Sequence, residues 1–166
     1  HKSGMNTDKI PVIVSGMASS SIGMEEIPYA ELPFRINGSQ ASVRVFDDYN
    51  GSGAPLIIVS GVKSNVDVMR GEEAQLIGLV QLNQVKLEDN EEYVFVFPGT
   101  HSKHISVKGG LVPNFKTFMT GELFNIVSEH SILKDSVVLD NSIKLSDPAA
   151  KEAFVYGVEN SANSSV

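Results

Sequence analysis

The stretch from Tyr93 to Glu129 restricts the possible fold most. Tyr93 to Phe97 is an unbroken hydrophobic run that stops at Pro98 and Gly99. His104 to Lys108 alternates apolar and polar residues, as a half-buried strand does. Gly109-Gly110 closes it with a two-residue hairpin signal, and Leu111 to Phe118 supplies a third strand. Thr120-Gly121-Glu122 opens a helix expected over Leu123 to Glu129, with Thr120 in capping position. Strand, polar turn, strand, hairpin, strand and helix therefore follow one another without a spacer.

The residues before it read differently. Pro11 to Ser15, β-branched and apolar, predicts a buried strand. "GMASSSIG" follows as a loop or short helical turn at its carboxyl end. Ala41 to Phe46 predicts a strand, "YNGSGAP" a turn, and "PLIIVSGV" a further strand that again runs into Ser-Gly. Gly71 to Gln84 predicts a helix. Ala74, Ile77 and Gln81 fall on one side, and Leu76, Leu79, Val80 and Leu82 widen the apolar stripe. Glu72 and Glu73 sit in its first turn, where acidic groups suit the helix dipole. The charged segment "KLEDNEE" is the expected boundary between residues 1–88 and 89–166. Ser136 to Asp140 predicts a strand, and Asp147-Pro148 starts a last helix, with Asp147 as cap and Pro148 in the first turn.

Composition excludes several classes. With 20 acidic against 13 basic residues, the net charge of -7 is wrong for a phosphate-backbone surface, so no nucleic-acid partner is expected. No apolar run approaches the ~20 residues that span a bilayer, so no membrane partner is expected either. The first ten residues do not read as a signal peptide. With no Cys, there is no disulfide framework, thiolate metal site or thiol nucleophile. A reducing cytoplasm fits that, and so does an exported protein.

Four stretches carry candidate chemistry. Gly99, Thr100, His101, Ser102 and Lys103 put a permissive backbone, hydroxyls and a cation at the end of a strand. That set suits phosphate or another anion, or makes an ordinary solvated turn. His101 and His104 stand three apart, on opposite faces in a strand and with no Cys or nearby acid, so no metal site is assigned. In "DVMRGEEAQ", Arg70 offers a planar fork to a carboxylate, and Asp67, Glu72 and Glu73 offer acceptors for a hydroxyl. The plain alternative is a helix start with acidic decoration. Thr120-Gly121 presents helix-start N–H groups to an anion, or is a plain capped helix. Ser19 and Ser20 follow a strand where open α/β sheets bind ligands.

"VIVSGMASSSIG", "DVMRGEEAQLIG", "FPGTHSKHISV" and "FMTGELFNIVSEHSIL" occur in this order. Together they resemble the family of 2-dehydro-3-deoxygalactonokinases over roughly Pro11 to Val158. The resemblance implies an α/β fold, ribonuclease-H-like, of the actin-like ATPase superfamily, with the end of a first lobe and the meander-led start of a second. It implies a cytoplasmic enzyme that moves the γ-phosphoryl of ATP, with Mg2+, to the terminal hydroxyl of 2-dehydro-3-deoxygalactonate. On that pattern, Asp67 or Glu72 accepts the hydroxyl proton. Ser19, Ser20, Arg70 and Glu73 bind the sugar acid, and Gly99, Thr100, His101, Lys103, Thr120 and Gly121 face phosphate.

The sequence departs from the family at both ends. A motif like Asp-Trp-Gly-Ser-Thr, which makes the family's first phosphate loop, is absent, and so is the glycine-rich adenosine segment. A middle portion of the enzyme is therefore expected, inactive alone, with apolar edges that favour a homo-oligomer. The rival readings are a non-catalytic sugar-acid-binding module that has lost ATP, and an interaction protein that binds neither ligand.

Overall fold

The computed structural model describes residues 10–51, 53–138, 140 and 142–161. Its strands are β1 (Val12–Val14), β2 (Ala30–Glu31), β3 (Phe34–Arg35), β4 (Val43–Phe46), β5 (Leu56–Val59), β6 (Val62–Lys63), β7 (Val68–Met69), β8 (Glu92–Phe97), β9 (Ser102–Lys108), β10 (Leu111–Val112) and β11 (Phe115–Phe118). Its helices are α1 (Glu72–Gln81), α2 (Thr120–His130) and α3 (Pro148–Ser161). The chain divides into two compact units, His1–Leu123 and Phe124–Val166, so the division falls within α2.

In the first unit β5 lies between β1, which runs parallel to it, and antiparallel β4. Leu56 and Ile58 point inward from this central strand and are buried. The strand expected over Pro11 to Ser15 forms, but it is not buried. Among the described residues β1 is an edge strand, and Ile13 is 68% exposed. Position in the sheet decides this, since β5 has a neighbour on each side and β1 has one among the described residues. Ile13 pairs with Ile57, which pairs with Val45. That register lines apolar side chains along one open face.

A second sheet joins β2, β6 and β7, with β6–β7 a hairpin. The Ser64 hydroxyl closes its turn by accepting the N–H groups of Val66 and Asp67. The third sheet is the expected succession. β8 and β9 pair along their whole length, and Gly109 and Gly110 turn the chain with φ 55° and 73°. The third strand is broken at Pro113, which has no N–H to give. Pairing shifts by one residue there, from Leu111 opposite Lys108 to Phe115 opposite Ile105. β10 also pairs with β3. One core cluster therefore gathers Phe34, Val62, Met69 and Leu76 with Ile105, Val107, Val112 and Phe115, from both sides of the charged connector.

Three boundaries differ from the sequence expectation. β9 starts at Ser102, which takes Lys103 out of the polar turn and into a strand. α1 ends at Gln81, because Asn83 turns left-handed (φ 52°), a conformation asparagine tolerates. α2 starts at Thr120, and the Leu123 N–H donates to the Met119 carbonyl, so Thr120 is inside the helix instead of capping it.

The second unit holds the rest of α2, a short helical turn over Ile132–Ser136, and α3. The expected strand over Ser136 to Asp140 is absent from its described part. Val137 closes the helical turn onto the Lys134 carbonyl, Val138 is exposed, and Leu139 lies outside the described residues. A strand needs a neighbour for its backbone groups, and the described residues of this unit contain none. α3 begins as expected, with the Ala149 N–H donating to the Asp147 carboxylate at 3.2 Å. No described helix is long and apolar enough to cross a membrane.

Candidate functional site

Because β1 and β5 are parallel, the loops that leave their carboxyl ends emerge on the same side. The loop after β1 winds into a short helical turn, Met17–Ser19. There the Ser19 and Ser20 hydroxyls donate to the carbonyls of Gly16 and Met17, at 3.1 and 2.8 Å. β5 runs into Ser60 and Gly61, and Gly61 is the floor of a tight crossing. A Cβ on Gly61 would stand 2.2 Å from the Met69 carbonyl oxygen, 2.9 Å from Arg70 Cγ and 3.0 Å from Tyr29 Cε1. Only glycine lets those three groups meet there.

Tyr29 and Arg70, which meet at Gly61, also line a cavity of about 440 Å3, together with Ser19, Ser20, Ser21, Glu26, Ile27 and Pro28. Arg70 is fixed at several points. Its Nε–H donates to the Tyr29 hydroxyl, and its guanidinium carbon lies 5.3 Å from the Tyr29 ring centre. Its Nη1 is 3.4 Å from the Met17 sulfur.

The backbone under Arg70 is held by the two acids that follow it. Glu72 Oε2 accepts the Arg70 N–H at 2.9 Å. Both oxygens of Glu73 accept the Gly71 N–H, at 2.9 and 2.8 Å. Glu73 is only 1% exposed. Burial pushes its pKa up to about 7, against the pull of the Gly71 hydrogen bond and that of its own N–H; the charge of Glu72 adds to the rise. Its carboxyl group faces its own backbone and not the cavity.

Asp67 and Lys103 form a second cluster. Lys103, 6% exposed, donates to the Val68 carbonyl at 2.6 Å and to the Thr117 hydroxyl. Thr117 in turn donates to Asp67 Oδ2 at 2.6 Å, and Lys103 Nζ lies 3.5 Å from Asp67 Oδ1. The Val68 N–H also donates to Oδ1. A lysine in β9 thus ties the β6–β7 hairpin to β11.

The turn at 98–101 makes a third cluster, with the start of α2. The Glu122 N–H donates to the Thr100 carbonyl at 3.1 Å, and Glu122 Oε2 lies 2.5 Å from His101 Nε2. A Cβ on Gly121 would stand 2.7 Å from the Gly99 carbonyl oxygen and 2.8 Å from Thr100 Cα. One helix-start donor, which the sequence offers to an anion, is therefore used by the protein itself.

The structure brings Ser19, Ser20 and Arg70 together at one cavity, with Glu72 and Glu73 bound to the Arg70–Gly71 backbone. It brings Gly99, Thr100, His101 and Gly121 together, with Thr120 in the same helix turn. None of residues 99–103 lines the Arg70 cavity. Sequence reading missed Glu26, Tyr29, Gly61 and Thr117. Nothing in "EEIPYAELP" marks Glu26 or Tyr29, because their role depends on a residue far along the chain. Thr117 left a faint trace as a polar residue in a strand otherwise closed by phenylalanines.

The fold is of the α/β class, with loops converging at the carboxyl ends of parallel strands around a fixed arginine, where open α/β folds hold their ligands. The chain belongs to the 2-keto-3-deoxy-galactonokinase family, whose model matches residues 2–166. A Rhizobium meliloti (strain 1021) protein provisionally named 2-dehydro-3-deoxygalactonokinase is 32% identical, over 92% of this chain and 49% of its own length. The Escherichia coli (strain K12) 2-dehydro-3-deoxygalactonokinase is 29% identical, over 94% of this chain and 48% of its own. A crystal structure of a Sinorhizobium meliloti protein, given the same name provisionally, superposes with a TM-score of 0.64 at 32% identity. It covers 78% of this chain and 42% of the other. The chain spans about half the length of the curated relatives it matches.

Proposed function

We propose that this chain carries the sugar-acid site of a kinase that transfers the γ-phosphoryl of ATP to the terminal hydroxyl of 2-dehydro-3-deoxygalactonate. The names of its relatives support the reaction, and one observation supports the site: an immobilised arginine at a cavity lined with serines. Arg70 takes the substrate carboxylate, and Ser19 and Ser20 take sugar hydroxyls through their oxygens. Asp67 and Glu72 are the proposed proton acceptors. Glu26, which lines the cavity itself, joins them. Because proton transfer is late in a loose phosphoryl transfer, the acceptor mainly orients the hydroxyl.

The turn at Gly99 to His101, locked to Thr120-Gly121, is the proposed phosphate-facing element. Lys103, which the sequence offered to phosphate, turns inward to Val68, Thr117 and Asp67 instead. Among the described residues no group of three His, Cys, Asp or Glu side chains could hold an ion. Mg2+ is proposed to enter with the nucleotide, bridging its phosphates. We read the architecture as ribonuclease-H-like, with the first lobe passing to the second near Glu88, and the location as cytoplasmic. This length of chain alone is proposed to be inactive.

The test is ADP release, coupled to a dye, from a version as long as the relatives, with this sugar acid as acceptor. Turnover is expected, and none would reject the kinase reading. Arg70→Ala should weaken sugar-acid binding about 100-fold, the scale of a lost bidentate charged hydrogen bond. Unchanged affinity removes Arg70 from the site. Since the residues that line this cavity fall between Ser19 and Arg70, apart from the turn proposed to face phosphate, a sugar-acid-binding module without ATP is the second reading. Calorimetry that finds acid binding, with no effect of nucleotide on the longer version, selects it.

A further inference from the structure

We propose that Tyr29 is a positioning residue that dictates how Arg70 meets a ligand carboxylate. It occupies the Nε side of the guanidinium and leaves the terminal edge for the ligand. The inference rests on the reading of Arg70 as the carboxylate-binding group.

A guanidinium offers a carboxylate two planar forks. One uses Nε and the nearer Nη; the other uses both terminal nitrogens. Here the first is taken, since Nε–H already donates to the Tyr29 hydroxyl. The Tyr29 ring also lies against the cation, 5.3 Å from its carbon, which resists rotation about the end of the side chain. Gly61 supplies the space for this pairing, with a would-be Cβ within 3.0 Å of the Tyr29 ring and 2.9 Å of the Arg70 stem. The remaining contact of the fork, Nη1 to the Met17 sulfur at 3.4 Å, is to a weak acceptor that a carboxylate oxygen outcompetes. The terminal fork is therefore the one that accepts a ligand. Once its oxygen accepts from a cation, the Tyr29 O–H is polarised and becomes a stronger donor. Tyr29 lines the same cavity, so that proton is available to the ligand carboxylate there.

A held fork selects for two oxygens in one plane, and a loose one does so less well. Tyr29→Phe keeps the ring and removes the acceptor. The expected result is about tenfold weaker binding of the acid, the scale of one hydrogen bond to a charged group. Binding of a neutral ligand should not change.

The experiment is calorimetric titration of the 166-residue chain with 2-dehydro-3-deoxygalactonate and with its analogue in which the carboxylate is reduced to an alcohol. The unaltered protein, Tyr29→Phe, Arg70→Ala and the double variant are compared. Support is a selective loss for the acid in Tyr29→Phe that disappears in the Arg70→Ala background. If Arg70→Ala abolishes the preference for the acid while Tyr29→Phe matches the unaltered protein, the proposal falls and the Arg70 reading stands. If the unaltered protein does not bind the acid, or Arg70→Ala leaves the preference intact, both fall. Should Tyr29→Phe not fold, the Arg70 Nε–H signal in nitrogen-15 NMR decides the matter. Slow exchange with water is expected, and fast exchange overturns the proposal.

Discussion

Glu73 keeps a carboxyl group under the first turn of α1, with a pKa of about 7. Its ordinary value is 4.5, so the folded state holds a proton that the unfolded chain gives up. Its contribution to stability is present below about pH 4.5 and is lost as pH rises through 7. The span corresponds to about 3 kcal/mol at most. Glu73→Gln retains an oxygen for the Gly71 N–H and has no proton to lose. Relative to that variant, the unaltered protein should gain stability as pH falls from 8 to 5, by urea midpoints at each pH. Parallel profiles would place the ionisation elsewhere. Because the same side chain holds the backbone beside Arg70, acid binding should change over the same pH range.

At the scale of elements, the turn at 98–101 and the start of α2 behave as one piece. Their contact needs Gly121, because the atoms nearest a Cβ there belong to the backbone of Gly99 and Thr100 and cannot rotate away. Gly121→Ala should therefore push the turn off the helix at a cost of about 1–3 kcal/mol, the range for overpacking. Hydrogen exchange at the Glu122 amide reports it, since that N–H donates to the Thr100 carbonyl. Faster exchange in the variant is expected, and an unchanged rate would mean the turn is held from elsewhere. The elements themselves were well read from sequence: both halves of the β8–β9 hairpin, the glycine turn, α1 and the proline-led α3 all form. Elements went astray where a partner mattered. The valines of Ser136 to Asp140 form no strand in the described part, since β-propensity does not supply a neighbour.

At the scale of the molecule, burial separates segments that composition treats alike. "VIV" in β1 and "LIIV" in β5 look equivalent, yet Ile58 is fully buried and Ile13 largely exposed. Ile13, Val43 and Val45 leave an apolar face open among the described residues, and we expect copies of the chain to associate through it. Sedimentation velocity across a concentration series should show association that Ile13→Lys with Val45→Lys reduces. Association unaffected by that pair would exclude this face.

The sequence by itself determined the class of fold, most strands and helices, and the residue types of the site. Those follow from periodicity and turn chemistry, which act over a few neighbouring residues. Tertiary structure alone decided which chemistry each residue is free to do. Tyr29 reaches Arg70 across 41 residues, Thr117 reaches Asp67 across 50, and Lys103 reaches the Val68 carbonyl across 35. Such pairings follow from sheet register and core packing, which bring distant segments together and leave no local pattern to read. That is why Lys103 reads as a surface cation and is a buried one, and why Tyr29 reads as nothing and holds the arginine.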